Sequence, residues 1–327
     1  MNLPELLKIA IEEEVSQIGA QARLNATQTL SHRYRDQNQR QEILKEKQHF
    51  LANDAQRIAY ILARMPATFG AVKYVLNELK NRYSSSFNSV LDLGAGPGTA
   101  MWALSEIFPS VAEITMLEQD SSLINLGKKL ASKSNHPLIK KAKWLQADVL
   151  KQDKFPESDL IIVSYAMGEW PLSITSELVK KLWASARQAL VIVEPGTMPG
   201  FGVIRQVRQQ LIELGAEMIA PCPHTLKCPM PVNDWCHFSV RIERSRQHRL
   251  AKGGTLGYED EKFSYVAVAK SSVELPEARI LRHPLKRSGH VSFVLCTKES
   301  GIVNKIISRR DGELYKEARH LEWGDTL

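Results

Sequence analysis

The segment Val90-Leu91-Asp92-Leu93-Gly94-Ala95-Gly96-Pro97-Gly98-Thr99-Ala100 restricts this chain more than any other part of it. An apolar run with a single acid enters a turn with glycine at alternate positions. Behind the turn, Met101 to Phe108 has the apolar spacing of a buried helix. Strand, glycine turn and helix open a doubly wound parallel sheet, whose ligand crevice lies at the carboxyl end of that strand. Glycine suits such a turn because it takes positive φ and lets a ligand approach without meeting a Cβ. One glycine loop is a weak signal on its own; the strands and acids downstream of it strengthen the reading.

Glu113 to Glu118 reads as a second strand, followed by a helix through Leu123 to Leu130. Ala142 to Asp148 reads as a third strand and Asp159 to Tyr165 as a fourth. A helix from Ser173 to Ala186 leads into a fifth, Ala189 to Gly196. Near-continuous apolar runs alternating with helices predict a parallel sheet buried on both faces, an α/β doubly wound architecture. Asp92, Glu118 and Asp148 fall at the carboxyl ends of successive strands. A single acid there would more often be a helix cap. Three pointing into one crevice suit a cationic ligand with a ribose and an adenine. A dinucleotide would ask for Gly-x-Gly-x-x-Gly with pyrophosphate at the helix N-terminus, whereas these glycines fall as Gly-x-Gly-x-Gly.

The segment from Ser89 to Glu194 resembles the class I S-adenosylmethionine-dependent methyltransferases, which have a Rossmann-like fold. That resemblance implies S-adenosylmethionine in the crevice. Asp92, Gly94, Ala95, Gly96 and Gly98 would lie near its methionine part, Glu118 on the ribose and Asp148 near the adenine, with Ser164 a further contact.

The 327 residues allow roughly two domains of ~150 residues each, and 43% apolar with 24% charged residues suits a globular chain with a large core. No run approaches the ~18 apolar residues that a membrane span needs, so no membrane partner is expected. Met1-Asn2-Leu3-Pro4-Glu5 leads into Glu12-Glu13-Glu14, unlike a secretory signal or transit peptide; the expectation is a cytoplasmic protein, monomeric when free. Residues 1–85 read as a helical domain: Leu3 to Gly19, Ala52 to Met65 stopped by Pro66, and Phe69 to Tyr83. Arg33, Arg35 and Arg40 form a basic polar segment with Tyr34 between them. After the helix from Ile204 to Leu214, the expected order is a cysteine-rich basic insertion over 216–260, the last two core strands within 261–300, and a C-terminal tail from 301 to 327.

Four prolines between Pro221 and Pro231 exclude helix and sheet there, so something else must order the loop that carries Cys222 and Cys228. Cys236 follows closely, and Cys296 ends a later strand, Val291 to Cys296. If that strand runs antiparallel to Phe263–Ala269, all four sulfurs converge at the edge of the sheet opposite the crevice. Buried free cysteines would instead be scattered through apolar strands, so a metal site is the favoured reading. Zinc suits four thiolates, with His224 or His237 as substitute ligands. A [4Fe–4S] cluster also takes four cysteines and better tolerates the irregular spacing.

The combination resembles a family of methyltransferase-like proteins associated with the small ribosomal subunit. The resemblance is carried by Ala59-Tyr60, Arg64-Met65-Pro66-Ala67-Thr68, Leu91 to Thr99 and Val193 to Thr197. It continues through Cys222-Pro223-His224, Cys228-Pro229, Trp235-Cys236-His237-Phe238, Phe263-Ser264-Tyr265 and the strand into Cys296. It implies a [4Fe–4S] cluster on Cys222, Cys228, Cys236 and Cys296, binding to small-subunit ribosomal RNA, and a role in subunit assembly.

The net charge of +7 favours a polyanionic partner. Arg241, Arg244, Arg246, Arg249 and Lys252 form one basic run. Arg279, Arg282, Lys286 and Arg287 form a second, and two such runs flanking Phe263–Ala269 suit phosphate contacts. Phe263, Tyr265 or Trp235 would be stacking candidates, against the alternative that they pack in the core. No residue carries a clear catalytic role. Amino methyltransferases follow strand four with a polar-Pro-Pro-aromatic tetrapeptide, where this chain has Ser164 to Trp170. Tyr165 and Glu169 are candidate bases, and a cytosine C5 enzyme would need a cysteine at the crevice. Two readings remain: an RNA-binding assembly protein, and an active ribosomal RNA methyltransferase. A small-molecule methyltransferase with structural zinc is a weaker third.

Overall fold

The computed structural model describes residues 1–35, 51, 53–252, 254–299 and 301–327. Arg40 of the basic segment and Ala52 of the second expected helix lie outside them.

Among the described residues, four helices precede the sheet: α1 (Glu5–Ser16), α2 (Ala20–Arg35), α3 (Asp54–Ala63) and α4 (Met65–Arg82). Pro66 does not delay the last of these to Phe69. It occupies the first turn of α4, where a missing N–H costs nothing and the fixed φ suits a helix start. Phe69, Val72, Val75 and Leu76 of α4 share one buried core with Val90 of the first strand, so the helical region packs directly on the sheet.

The sheet is built from β1 (Ser89–Leu93), β2 (Glu113–Glu118), β3 (Lys143–Gln146), β4 (Ser158–Ser164), β5 (Ala186–Pro195), β6 (Glu217–Ala220), β7 (Phe238–Glu243) and β8 (Tyr258–Ala269). Its order is β3-β2-β1-β4-β5-β8-β6, with β7 also on β8. Strands β1 to β5 pair in parallel, and β8 is antiparallel to β5. Helices α5 (Thr99–Ile107) and α6 (Ser121–Ser132) lie between these strands, as do the short α7 (Pro137–Lys140) and α8 (Leu172–Ser185); α9 (Met198–Glu213) follows β5. In β5, Ala189, Val191 and Val193 face one core while Leu190 and Ile192 face the other. That burial on both sides is why the strand sequences read as unbroken apolar runs.

Beyond β5 the chain departs from expectation. β8 is longer than Phe263–Ala269, and β6 and β7 lie end to end along one edge of it. Because β6 first carries the chain up from Glu217, the cysteine loop leaves it at Ala220, level with Ala267, and rejoins the sheet at Phe238, level with Phe263 and Pro195. After the short helix α10 (Arg246–Lys252), β8 runs downward. Val291 to Cys296 is not the seventh core strand. It belongs to β11 (His290–Thr297) of a second antiparallel sheet, with β9 (Ala278–Ile280), β10 (Leu285–Arg287) and β12 (Gly301–Ser308). The expected tail therefore supplies a strand and a helix, α11 (Glu313–Ala318). Its last residues return to β9, where Leu327 and Ala278 exchange backbone hydrogen bonds. Among the described residues, no helix is long and apolar enough to cross a membrane.

Candidate cofactor crevice and four-cysteine cavity

Between β1 and α5 the chain reverses through Gly94 (φ +63°), Gly96 (φ +54°) and Gly98 (φ +88°). At Gly98 a Cβ would meet Met116 Cε at 2.9 Å and the Trp144 ring at 3.1 Å, so both conformation and packing call for glycine. Gly96 has open space where its Cβ would project, leaving the backbone approachable.

Asp92 is fully buried, and among the described residues neither carboxylate oxygen has a hydrogen-bond partner. Burial, reinforced by nearby Glu118, pushes its pKa up to about 8. A carboxylate so placed lacks a cation or donor to satisfy it. Glu118 is better satisfied: Oε2 accepts from Gly96 N, and Oε1 accepts from Gln119 N and Asp120 N, each at 2.9 Å. Burial raises its pKa, and those three bonds oppose the rise. The carboxylate thereby ties the glycine loop to the end of β2 and keeps lone-pair capacity on Oε2 for one ligand hydroxyl. Asp148 caps the turn after β3 by accepting from Leu150 N at 2.9 Å, and it is partly exposed beside Lys151. Ser164 ends β4, paired with Val193.

Next to Ser164, Tyr165 takes φ +57°, a left-handed conformation uncommon outside glycine. Its hydroxyl donates to Glu261 Oε1 at 3.0 Å, and Arg64 Nη2 reaches the same oxygen at 3.2 Å. Glu261 lies on β8, far along the chain, and no local pattern announced this contact.

The cysteines come together, though not where expected. Cys222, Cys228, Cys236 and Cys296 line one small cavity, with Arg208, His224 and Arg279 in its wall. Trp235 Nε1 donates to Gly196 O at 2.9 Å, and Ser264 Oγ donates to Cys236 O at 2.7 Å. These bonds place the loop by the carboxyl end of β5, on the same end of the sheet as the crevice. The expected position at the opposite edge is corrected by β6, the strand that returns the chain upward before the loop begins. The cavity lining includes none of the three crevice acids.

Around the thiols, Arg208 donates from Nε to Cys222 Sγ at 3.1 Å and from Nη2 to His224 O at 2.7 Å, while its buried Nη1 has no partner among the described residues. His224 Nε2 lies 3.5 Å from Cys296 Sγ. Burial pushes the Cys296 thiol up to about 12, and the Cys222 and Cys228 sulfurs add to the shift. Burial, then the other three sulfurs, also raises Cys236 well above the ordinary thiol value. Among the described residues no group of three or more His, Cys, Asp or Glu side chains is placed to hold a single metal ion.

The basic runs are largely neutralised by acids from distant segments. Arg241 pairs with Asp260 at 2.8 Å, Arg244 and Lys252 both pair with Glu259, Arg282 pairs with Asp234, and Lys286 pairs with Glu322. Arg279 is not a surface cation: it is fully buried, donating to Pro221 O at 2.9 Å and to Glu78 Oε2 at 2.7 Å. Arg246 and Arg287 are exposed, and Arg249 is half-buried. Phe263 and Tyr265 are buried, and Trp235 is engaged by Gly196 and stacks on His237. None of the three offers a free ring to a base.

The family described as "Mitochondrial small ribosomal subunit Rsm22" matches residues 54–327. The human protein "Ribosome assembly protein METTL17, mitochondrial" is 29% identical over 83% of this chain and 62% of its own length. The fission-yeast "Rsm22-cox11 tandem protein 2, mitochondrial" is 25% identical over 84% of this chain and 43% of its own. The chain thus spans under two thirds of these relatives. All of these names are mitochondrial, which overturns the expected cytoplasmic location. Among solved structures, magnesium protoporphyrin IX methyltransferase from Synechocystis has a TM-score of 0.40 and 12% identity, covering 63% of this chain and 84% of its own. A SAM-dependent methyltransferase from Aquifex aeolicus has a TM-score of 0.41 and 16% identity, covering 64% and 95%. These are likenesses of fold alone.

Proposed function

Because the chain belongs to the Rsm22 family of the mitochondrial small ribosomal subunit, we propose that it is a methyltransferase-fold assembly protein. It holds S-adenosylmethionine in the crevice and a [4Fe–4S] cluster on the four cysteines, and it contacts small-subunit ribosomal RNA. The observation that carries this reading is the pairing, at one end of one sheet, of an orphaned buried carboxylate with four thiols around a separate cavity.

The residues fit both groups. Asp92 would take the ligand's ammonium, Glu118 a ribose hydroxyl, and the Gly96 backbone would lie against the methionine part. Bound S-adenosylmethionine supplies an electrophilic methyl group and a fixed positive charge. Cys222, Cys228, Cys236 and Cys296 would hold the cluster, and Arg208, with one buried N–H unused, would offset its negative charge. The irregular spacing of the four cysteines favours the larger multi-iron core over tetrahedral zinc.

The test is ultraviolet crosslinking of the full chain in cells, with mapping of the attached RNA. Reproducible sites in small-subunit ribosomal RNA support the proposal, and an even spread over unrelated transcripts removes it. Tyr165 favours a second reading, an active ribosomal RNA methyltransferase. A strained residue at the carboxyl end of β4, bonded to Glu261, is the kind of backbone outlier that clusters at active sites. A ribosomal RNA methyl group lost in a deletion strain, and restored by the wild type but not by Asp92→Ala, would establish that activity.

A further inference from the structure

With most of the basic runs neutralised, an RNA surface must draw on cations that no carboxylate pairs. In the second sheet, Val291, Phe293, Leu295 and Ile307 face a small core of their own. Side chains alternate along a strand, and residues directly opposite in an antiparallel pair share a face. The register therefore sets Leu285, Arg287, His290, Ser292, Val294, Asn304, Ile306 and Ser308 on the other face. The cysteine loop covers one end of that face, where Cys296, Val294 and Ile302 pack with Met230 and Trp235. The other end is bare: Leu285 is 62% and Ile306 66% exposed.

Cations rim the bare end. Arg287 and His290 face each other across the β10–β11 turn. Arg309 N donates to Gly289 O in that turn, and the Arg309 Nε lies 3.9 Å from where a Gly289 Cβ would be. Arg287, Arg309 and Arg310 are all exposed, and no described carboxylate pairs with any of them. Asp311, beside them in sequence, is occupied as a cap, accepting from Ser308 N at 2.6 Å and Ser308 Oγ at 3.0 Å. Lys286, on the opposite face, remains bound to Glu322.

We infer that this end of the second sheet is a binding platform for single-stranded RNA, with Arg287, Arg309 and Arg310 on phosphates and Leu285, Ile306 and the His290 ring against bases. An open antiparallel face with apolar and planar groups, bordered by unpaired guanidinium groups, combines the stacking surface and charge that single strands require. An acidic protein face would answer the charge but would leave the open apolar and planar surface between the cations without the stacking that bases supply. The inference rests on the RNA-binding reading above; of the two basic runs first expected to contact phosphates it keeps Arg287 and adds Arg309 and Arg310.

The experiment uses the full chain purified anaerobically and a ~20-nucleotide mixed-sequence RNA, single-stranded or as a duplex, titrated at several salt concentrations. The triple variant Arg287→Gln, Arg309→Gln, Arg310→Gln should bind the single strand about tenfold or more weakly. The slope of log affinity against log salt should fall by about two units, at ~0.7 per lost phosphate contact. Arg241→Gln, whose guanidinium is already paired, should change affinity less than about twofold. Melting curves of both variants should match the wild type, since the substituted groups are exposed. If wild type and triple variant bind with equal affinity and slope, the platform is wrong while RNA binding stands. If the wild type binds neither RNA, both readings fall. A triple variant that keeps its RNA affinity but no longer joins small subunits would mark a protein-docking face and overturn the inference.

Discussion

Asp92 shows how a single residue reports its missing partner. Its folded pKa of about 8 lies above the ordinary 3.8, so between those values the folded chain holds a proton that the unfolded chain has released. The group's contribution to stability is therefore complete below about pH 4 and is lost as pH rises towards 8, at up to ~1.4 kcal/mol per pH unit. Asp92→Asn should flatten that dependence in denaturant titrations of the ligand-free protein. The same variant should bind S-adenosylmethionine about tenfold or more weakly by calorimetry, because a charge-assisted bond is lost. In the wild type at neutral pH, binding should release close to one proton, seen as a buffer-dependent heat; an Asn variant with unchanged affinity and heat would remove Asp92 from the site. Asp92 was legible in the sequence as an acid ending an apolar strand. Its lack of any partner was not, because that depends on what β2 and β4 bring alongside.

At the scale of elements, the glycine turn and strands β1 to β5 were legible, since burial on both faces leaves unbroken apolar runs. Gly98→Ala should cost about 1–3 kcal/mol by thermal or denaturant unfolding, from positive φ and from the approach of Met116 and Trp144. β7 was missed although its signal was present: Phe238, Val240 and Ile242 are buried, with Ser239, Arg241 and Glu243 turned outward. Reading that stretch only for its arginines hid its two-residue period. β6 has only four residues, too short for any period to stand out, and missing it put the cysteine cavity at the wrong end of the sheet.

At the scale of the whole molecule, the contacts among the described residues that join the second sheet to the first include two buried ones. One is Arg279 of β9, which binds Glu78 of α4, Pro221 beside the cysteine loop, and the Gly324 carbonyl in the returning C-terminus. Arg279→Met should destabilise by roughly 2–4 kcal/mol, because two buried carbonyls lose their donor and Glu78 keeps only Arg82; a loss under ~1 kcal/mol in urea titrations would deny it that role. The other is the four-cysteine cavity, to which Cys296 comes from β11. Anaerobically purified protein should contain about four iron atoms and absorb broadly near ~400 nm, and Cys296→Ser should abolish the absorption and lower the melting temperature. A colourless protein with about one zinc per chain would decide for zinc instead.

By itself the sequence determined the parallel half of the sheet, its glycine turn, the strand-end acids and the set of cysteines, because each is written in local spacing or residue type. Tertiary structure alone decided which cations are free, where the cysteine loop leaves the sheet, and that β11 lies in a second sheet. Glu259, Asp260, Asp234 and Glu322 cancel arginines and lysines up to 48 residues away. No local pattern carries such pairings, because they form only when strands distant in sequence become neighbours in space.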